Sequence, residues 1–193
     1  DFGMFGADAP PASSLRLLSL LNVGYLVTAH PLQDPALVGH LEELATTPVA
    51  VYRNPHAFPR AFVVERARVA RTRSAALALL RNPKIDLRRV VVLEQPPPAA
   101  LPGTQDRATT HPSTAEIVDY QPGTAHIAVA TSAGGYLVFS ETYEPGWHAT
   151  IDGKPAPVLR GNYSLIAVQL PAGTHSVTLR YRPQWLTVGG PIS

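Results

Sequence analysis

YLVFSETYEPGWHATIDGKPAPVLRGNYSLIAVQLPAGTHSVTLRYRP, residues 136–183, decides the fold. Short alternating or β-branched apolar runs are cut there by turn signals at close, regular intervals. Glu144-Pro145-Gly146 precedes Trp147, Asp152-Gly153 follows Ile151, Gly161-Asn162 follows Leu159, and Pro171-Ala172-Gly173 follows Leu170. Asp-Gly supplies the positive φ angles of a two-residue hairpin, and Pro followed by Gly suits a tight reversal. Strands this short and evenly spaced predict a sandwich or barrel rather than a parallel sheet. Across Ser176–Tyr181, Val177, Leu179 and Tyr181 fall on one face and Ser176, Thr178 and Arg180 on the other. That alternation describes a sheet with one dry side.

Upstream, Glu116–Tyr120 and His126–Thr131 flank Gln121-Pro122-Gly123-Thr124, which predicts a hairpin, and Gly134-Gly135 turns the chain into the next strand. Residues 96–113 hold five prolines and little hydrophobicity, so a semi-rigid linker and a subdomain boundary are expected there. Residues 14–95 read as an α/β subdomain, and 1–13 as an irregular lead-in. Ser13 or Ser14 caps a helix over Leu15–Leu21, ended by Asn22 and Gly24, before a strand at Tyr25–Thr28. Asp34-Pro35 starts a second helix with Leu37, Val38, Leu41 and Leu44 on one face. Strands follow at Val49–Arg53 and Ala61–Val64, the latter extending through Arg68. A helix over Arg73–Arg81 and a strand at Arg89–Leu93 then make a βαβ corner. The basic run Arg66, Arg68, Arg71 and Arg73 reads as a solvated or ion-paired face. The fold class is α+β: an N-terminal α/β portion packed with a C-terminal antiparallel β-sandwich over 114–183, jelly-roll or immunoglobulin-like. The strands at 49–53 and 61–68 are candidates to join that sandwich.

Composition narrows the chemistry. The 193 residues are 45% hydrophobic and 16% charged, enough for a folded core. Sixteen cations against fourteen anions leave a formal charge of +2, which gives no reason to invoke nucleic acid. With no cysteine, disulfides, thiolate zinc sites and cysteine nucleophiles are excluded. Leu15–Val27 is the most apolar window and is too short to span a bilayer. A chain opening at Asp1 without methionine is what a processed or excised piece would give.

Three groups of side chains carry possible chemistry. Glu141, Glu144 and Asp152 gather in sequence around Trp147, as glycoside hydrolysis would require, although Asp152 is already explained by its turn. Among seven histidines no pair has helical ligand spacing; His126, His148 and His175 sit on separate strands and would be metal-competent only by converging across a sheet. Ordinary strand-face histidines are the preferred reading, so no metal and no cofactor is assigned. Tyr143, Trp147 and Tyr163 fall at strand ends or turns, where exposed rings stack on sugars. With Glu144 they are the candidate ligand-binding residues, Trp147 being the one best suited to plug a core. No nucleophile elbow and no phosphate-binding glycine motif occurs, and Asp1-Phe2-Gly3 lacks any kinase context.

Laid out in order, the C-terminal part resembles the extracytoplasmic tail domain of the bacterial YfhO-type membrane protein family. The resemblance rests on Leu137–Ser140 followed by Tyr143-Glu144-Pro145-Gly146-Trp147, and on Ile151-Asp152-Gly153-Lys154. Asn162 before an apolar strand, Pro171-Ala172-Gly173-Thr174-His175 and Leu179-Arg180-Tyr181-Arg182-Pro183 continue it. Leu18–Thr28 and Val51–Val64 are similar to segments that precede the domain. The resemblance implies a piece hanging outside a multi-pass, glycosyltransferase-like protein, with a membrane span before Asp1 and another after residues 184–193. Its partners would be the transmembrane part of the same polypeptide and an envelope glycan or lipid-linked sugar. The family's presumed catalytic acids lie in membrane-proximal loops further upstream, so no catalytic residue is carried over. A bacterial origin also argues against glycosylation at Asn162-Tyr163-Ser164. The expected function is therefore a non-catalytic extracytoplasmic domain that positions or recognises a glycan. The alternatives are a stand-alone carbohydrate-binding sandwich and a hydrolase using Glu141, Glu144 and Asp152.

Overall fold

A computed structural model describes residues 11–98 and 113–183. The lead-in up to residue 10, most of the Pro-rich stretch and the 184–193 tail lie outside the described residues. The chain divides into two compact units between Arg60 and Ala61.

The first unit holds helix α1 (Pro11–Leu20), strand β1 (Tyr25–Thr28), the single turn α2 (Pro35–Val38), and strands β2 (Glu42–Ala45) and β3 (Ala50–Arg53). The strands form an antiparallel sheet in the order β1-β3-β2. Leu15, Leu17 and Leu20 bury one side of α1. Asn22, at φ 63, ends it: Val23 N–H reaches back to Leu18 O and Asn22 N–H to Ser19 O, each at 3.0 Å. This is the double closure of a helix C-terminus, with Asn in the left-handed position. Buried Asn54 ties the end of β3 to that closure, donating to Ser19 Oγ (3.0 Å) and Val23 O (2.9 Å). The helix expected through Leu44 is one turn long. After Gly39 the chain becomes an edge strand, β2, which leaves Leu44 55% exposed. Backbone pairing with β3, reinforced by Arg53 clasping both oxygens of Glu42 (2.7 and 2.8 Å), displaces the helical period there.

The second unit begins with β4 (Ala61–Val64), β5 (Arg66–Val69), α3 (Arg73–Arg81) and β6 (Val90–Leu93). It continues with β7 (Thr114–Gln121), β8 (Thr124–Thr131), β9 (Gly135–Thr142), β10 (Trp147–Ile151), β11 (Lys154–Ala156), β12 (Val158–Gly161), β13 (Leu165–Leu170) and β14 (Gly173–Tyr181). One sheet has five strands, β11-β10-β14-β8-β7, and the other six, β4-β9-β13-β12-β6-β5. Every pairing is antiparallel except β5 with β6, which α3 connects as the βαβ corner requires. The expected strand through Arg68 is two strands, β4 and β5, broken at Glu65. Of the two candidates to join the sandwich, β4 does so beside β9, whereas β3 belongs to the small sheet of the first unit. The Pro-rich stretch connects β6 to β7 inside this unit, and the division between units falls earlier.

Val129, Val177 and Leu179 of the five-stranded sheet and Phe139, Ile166 and Leu170 of the six-stranded sheet meet in one buried cluster. The two sheets thus face each other as in a sandwich, and each fully buried Val or Leu contributes about 1.5–3 kcal/mol of transfer free energy. Hairpin turns hold the register. Asp152 and Gly153 (φ 51 and 77), and Asn162 and Tyr163 (φ 48 and 76), place both central residues at positive φ. Asn162 does more: its N–H donates to Val92 O (2.7 Å) and its Oδ1 accepts Val92 N–H (2.9 Å), fastening β6 to the β12–β13 hairpin. At 1% exposure this asparagine is closed to modification.

Candidate functional site

In the five-stranded sheet the inward positions Ala125, Ile127, Ala149, Val177 and Leu179 are buried, so the alternate positions of β8, β10 and β14 share the opposite face. Cross-strand register sets them in rows. His126 lies opposite Thr178, which lies opposite Thr150, and Arg180 lies opposite His148. Together with Pro155 of β11 and Arg182 beyond β14, they line a groove of about 490 Å³. His126 Nδ1 and Thr178 Oγ1 are 3.0 Å apart. Arg180, Arg182 and His148 are exposed, whereas Thr150 and Thr178 are half-buried in the floor. No carboxylate lines the groove, and among the described residues none pairs with Arg180 or Arg182. The acids borne by the strands of this face stand on the edge strand β7: Asp119, in register with His126, and Glu116, in register with Ala128.

One end of the groove meets the loop that carries the candidate aromatics. Arg182 N–H donates to Gly146 O (2.7 Å), and a Cβ at Gly146 would stand 2.8 Å from Arg182 O and 2.7 Å from the Tyr181 ring. Only glycine admits that approach. Trp147 is half-buried against the core cluster, its ring 5.3 Å from that of Tyr181 and its Nε1–H donating to Thr142 O (3.2 Å). Tyr143 also leans on the core and has the Arg160 guanidinium 4.9 Å above its ring. Tyr163 carries Arg73 at 5.9 Å. Tyr143 N–H donates to Ser164 O (2.7 Å), and Trp147 N–H to Glu144 O (3.1 Å). Tyr143, Glu144, Trp147 and Tyr163 therefore gather at one end of the second unit, each ring with one side already occupied by Arg or Tyr.

The acids of the hydrolase alternative are dispersed. Asp152 is spent on its hairpin: Oδ1 accepts Ser176 N–H (2.9 Å) and Oδ2 pairs with His175 Nδ1 (2.7 Å). The Ser176 amide first, then His175, holds the Asp152 carboxyl below the usual carboxylate range. The hydrogen bond to Asp152 raises His175 above the usual imidazole range. Glu141 instead accepts from the Tyr120 hydroxyl (3.2 Å) on β7, across the sheet from the β10–β11 turn. Of the three histidines considered for convergence, His126 and His148 reach the groove. His175, whose position along β14 has the inward parity of Val177, turns to Asp152 instead. Among the described residues no cluster of three or more His, Asp or Glu can hold a metal ion. The groove itself is not visible in the sequence, where Thr178, Arg180 and His126 read only as a wet face. Strand register is the signal that reveals it.

Fold and site together define a predominantly antiparallel β module whose open face carries a groove lined by Arg180 and Arg182. Residues 104–193 match the family model described as bacterial membrane protein YfhO, so this part of the chain is similar to that family. No curated protein and no solved structure matches the chain. Among the described residues, no helix is long and apolar enough to cross a membrane.

Proposed function

We propose that the chain is a non-catalytic, extracytoplasmic domain of a multi-pass, glycosyltransferase-like membrane protein, where it positions or recognises an envelope glycan or a lipid-linked sugar acceptor. The observation that carries this reading is the match of residues 104–193 to a bacterial membrane protein family. The second unit, read as a jelly-roll-like or immunoglobulin-like sandwich, serves as a stiff mount, and the transmembrane part of the same polypeptide is its constant partner. Tyr143, Trp147, Tyr163 and Glu144, gathered at one end of the unit, offer rings and a carboxylate to sugar faces and hydroxyls.

Titration of the chain with envelope oligosaccharides and lipid-linked sugars, followed by tryptophan fluorescence, tests recognition. A saturable change that Tyr143→Ala weakens is expected, and silence towards every glycan overturns the recognition role. Sidedness is tested separately in intact cells carrying the full-length protein. Protease added outside should cleave this region once the outer wall is removed, and full protection there sinks the extracytoplasmic placement.

A further inference from the structure

We infer that the groove on the outer face of the five-stranded sheet is an anion site that takes a phosphate group, held by Arg180 and Arg182 at its rim and by Thr150, Thr178 and His148 within it. Four observations converge. Thr150, His148, Thr178 and Arg180 stand on two strands whose register is fixed by continuous pairing, and Arg182, one residue past β14, is tied by its N–H to Gly146 O. Two guanidiniums share the groove, and neither is neutralised by a described carboxylate. The half-buried threonines place hydroxyls beneath them, and a tetrahedral oxyanion accepts such donors from several directions at once. Finally, Glu116 and Asp119 stand on the β7 edge, with Asp119 in register with His126, so His126 separates them from Arg180 and Arg182.

Arginine is the side chain best fitted to phosphate because its planar fork donates two parallel hydrogen bonds. Arg182 is positioned for this by its own backbone. The bond from its N–H to Gly146 O fastens the chain just after β14, at the end of the unit where the candidate aromatics lie. A ligand with a phosphate in the groove would therefore reach the Glu144–Gly146 loop at that end, whereas Trp147 and Tyr181 share the inward parity of Ala149 and Leu179 and face the core side. The inference rests on the proposed function only for the sugar part of such a ligand; the anion site stands on the groove alone.

The test is a titration of the full chain by isothermal calorimetry and amide chemical shifts. Its arms are inorganic phosphate, glucose 1-phosphate, glucose, and vesicles of phosphatidylcholine with or without phosphatidylglycerol. Saturable binding of the phosphate-bearing probes, with shifts centred on Thr150, Thr178 and Arg180, is expected. Arg180→Gln with Arg182→Gln should lower affinity about tenfold or more, as the loss of charge-assisted hydrogen bonds implies. Arg66→Gln with Arg68→Gln, which removes the same charge from β5, should change it less than about threefold if the effect is local rather than diffuse. Equal losses in the two double variants, or no saturable binding in any phosphate arm, overturn the inference. Binding to phosphatidylglycerol vesicles alone supports the site and assigns its phosphate to a lipid headgroup. Equal binding of inorganic phosphate and glucose 1-phosphate, with silence towards envelope oligosaccharides and lipid-linked sugars, supports the site while failing the glycan-recognition reading.

Discussion

The two sheets of the second unit have opposite outer faces. In β9 and β13 of the six-stranded sheet, Tyr136, Leu137, Val138 and Phe139, and Leu165 to Val168, are buried without alternation, so both faces of that sheet are dry. On its outer side α3 packs against β6 with Ala76 and Leu80 buried. In the five-stranded sheet, β8 and β14 alternate, and their second face is wet. A sheet covered on both sides must read as a continuous apolar run, whereas a half-covered one reads as a period of two. The difference also divides the labour: one sheet is committed to stability, and the other keeps a face free to bind.

The comparison breaks most clearly under a lysine scan. Val138→Lys forces a cation into the second dry face of the six-stranded sheet and should cost more than about 4 kcal/mol or prevent folding. Ser176→Lys, exposed on the wet face, should stay within about 0.5 kcal/mol. Urea denaturation reads both, and comparable losses would show that the wet face is covered after all. Gly146→Ala comes next: its Cβ meets the Arg182 backbone at 2.8 Å, and the overpacking should cost about 1–3 kcal/mol in the same assay. Asn162→Ala leaves a buried Val92 N–H without its partner and should cost about 1–3 kcal/mol, whereas an unchanged midpoint would remove Asn162 as the fastening of β6.

The smallest effect is the pH dependence of the Asp152–His175 pair. His175 holds its proton above the ordinary imidazole range, so its contribution is complete below that range and is lost as pH rises through the raised value. Asp152 holds its charge below the ordinary carboxylate range, so its contribution is present above that range and is lost as pH falls through the lowered value. The gap in urea midpoint between the native chain and Asp152→Asn should therefore be widest between those limits, close as pH falls through the Asp152 value, and shrink at high pH to the part that the Ser176 amide bond supplies. A gap that stays flat with pH would detach the pair from stability.

Much of the sandwich is legible in the sequence because its turns are chemically explicit. Asp152-Gly153, Gly161-Asn162 and Pro122-Gly123 fix where strands end, and the alternation of β14 fixes which side is dry. The βαβ corner is legible for the same reason, with Thr72 capping α3 by accepting Ala75 N–H (3.2 Å). Residues 41–45 mislead because Leu37, Val38, Leu41 and Leu44 fit a helical period. Nothing local reports that β3 offers β2 an unpaired edge, with Arg53 waiting for Glu42. The aromatics fall at strand ends as their turns imply, but their arginine and tyrosine neighbours come from distant sequence. The groove is hidden for the same reason: His126, Thr178 and His148 lie on three strands, and only register sets them side by side.

The rims of the second unit carry one more consequence. The exposed edge strands bear Arg66 and Arg68 on β5, Lys154 and Pro155 on β11, and Glu116 and Asp119 on β7. Charges and proline in those places repel or block a docking strand. Many copies crowded together would therefore stay separate instead of zipping edge to edge into fibrils.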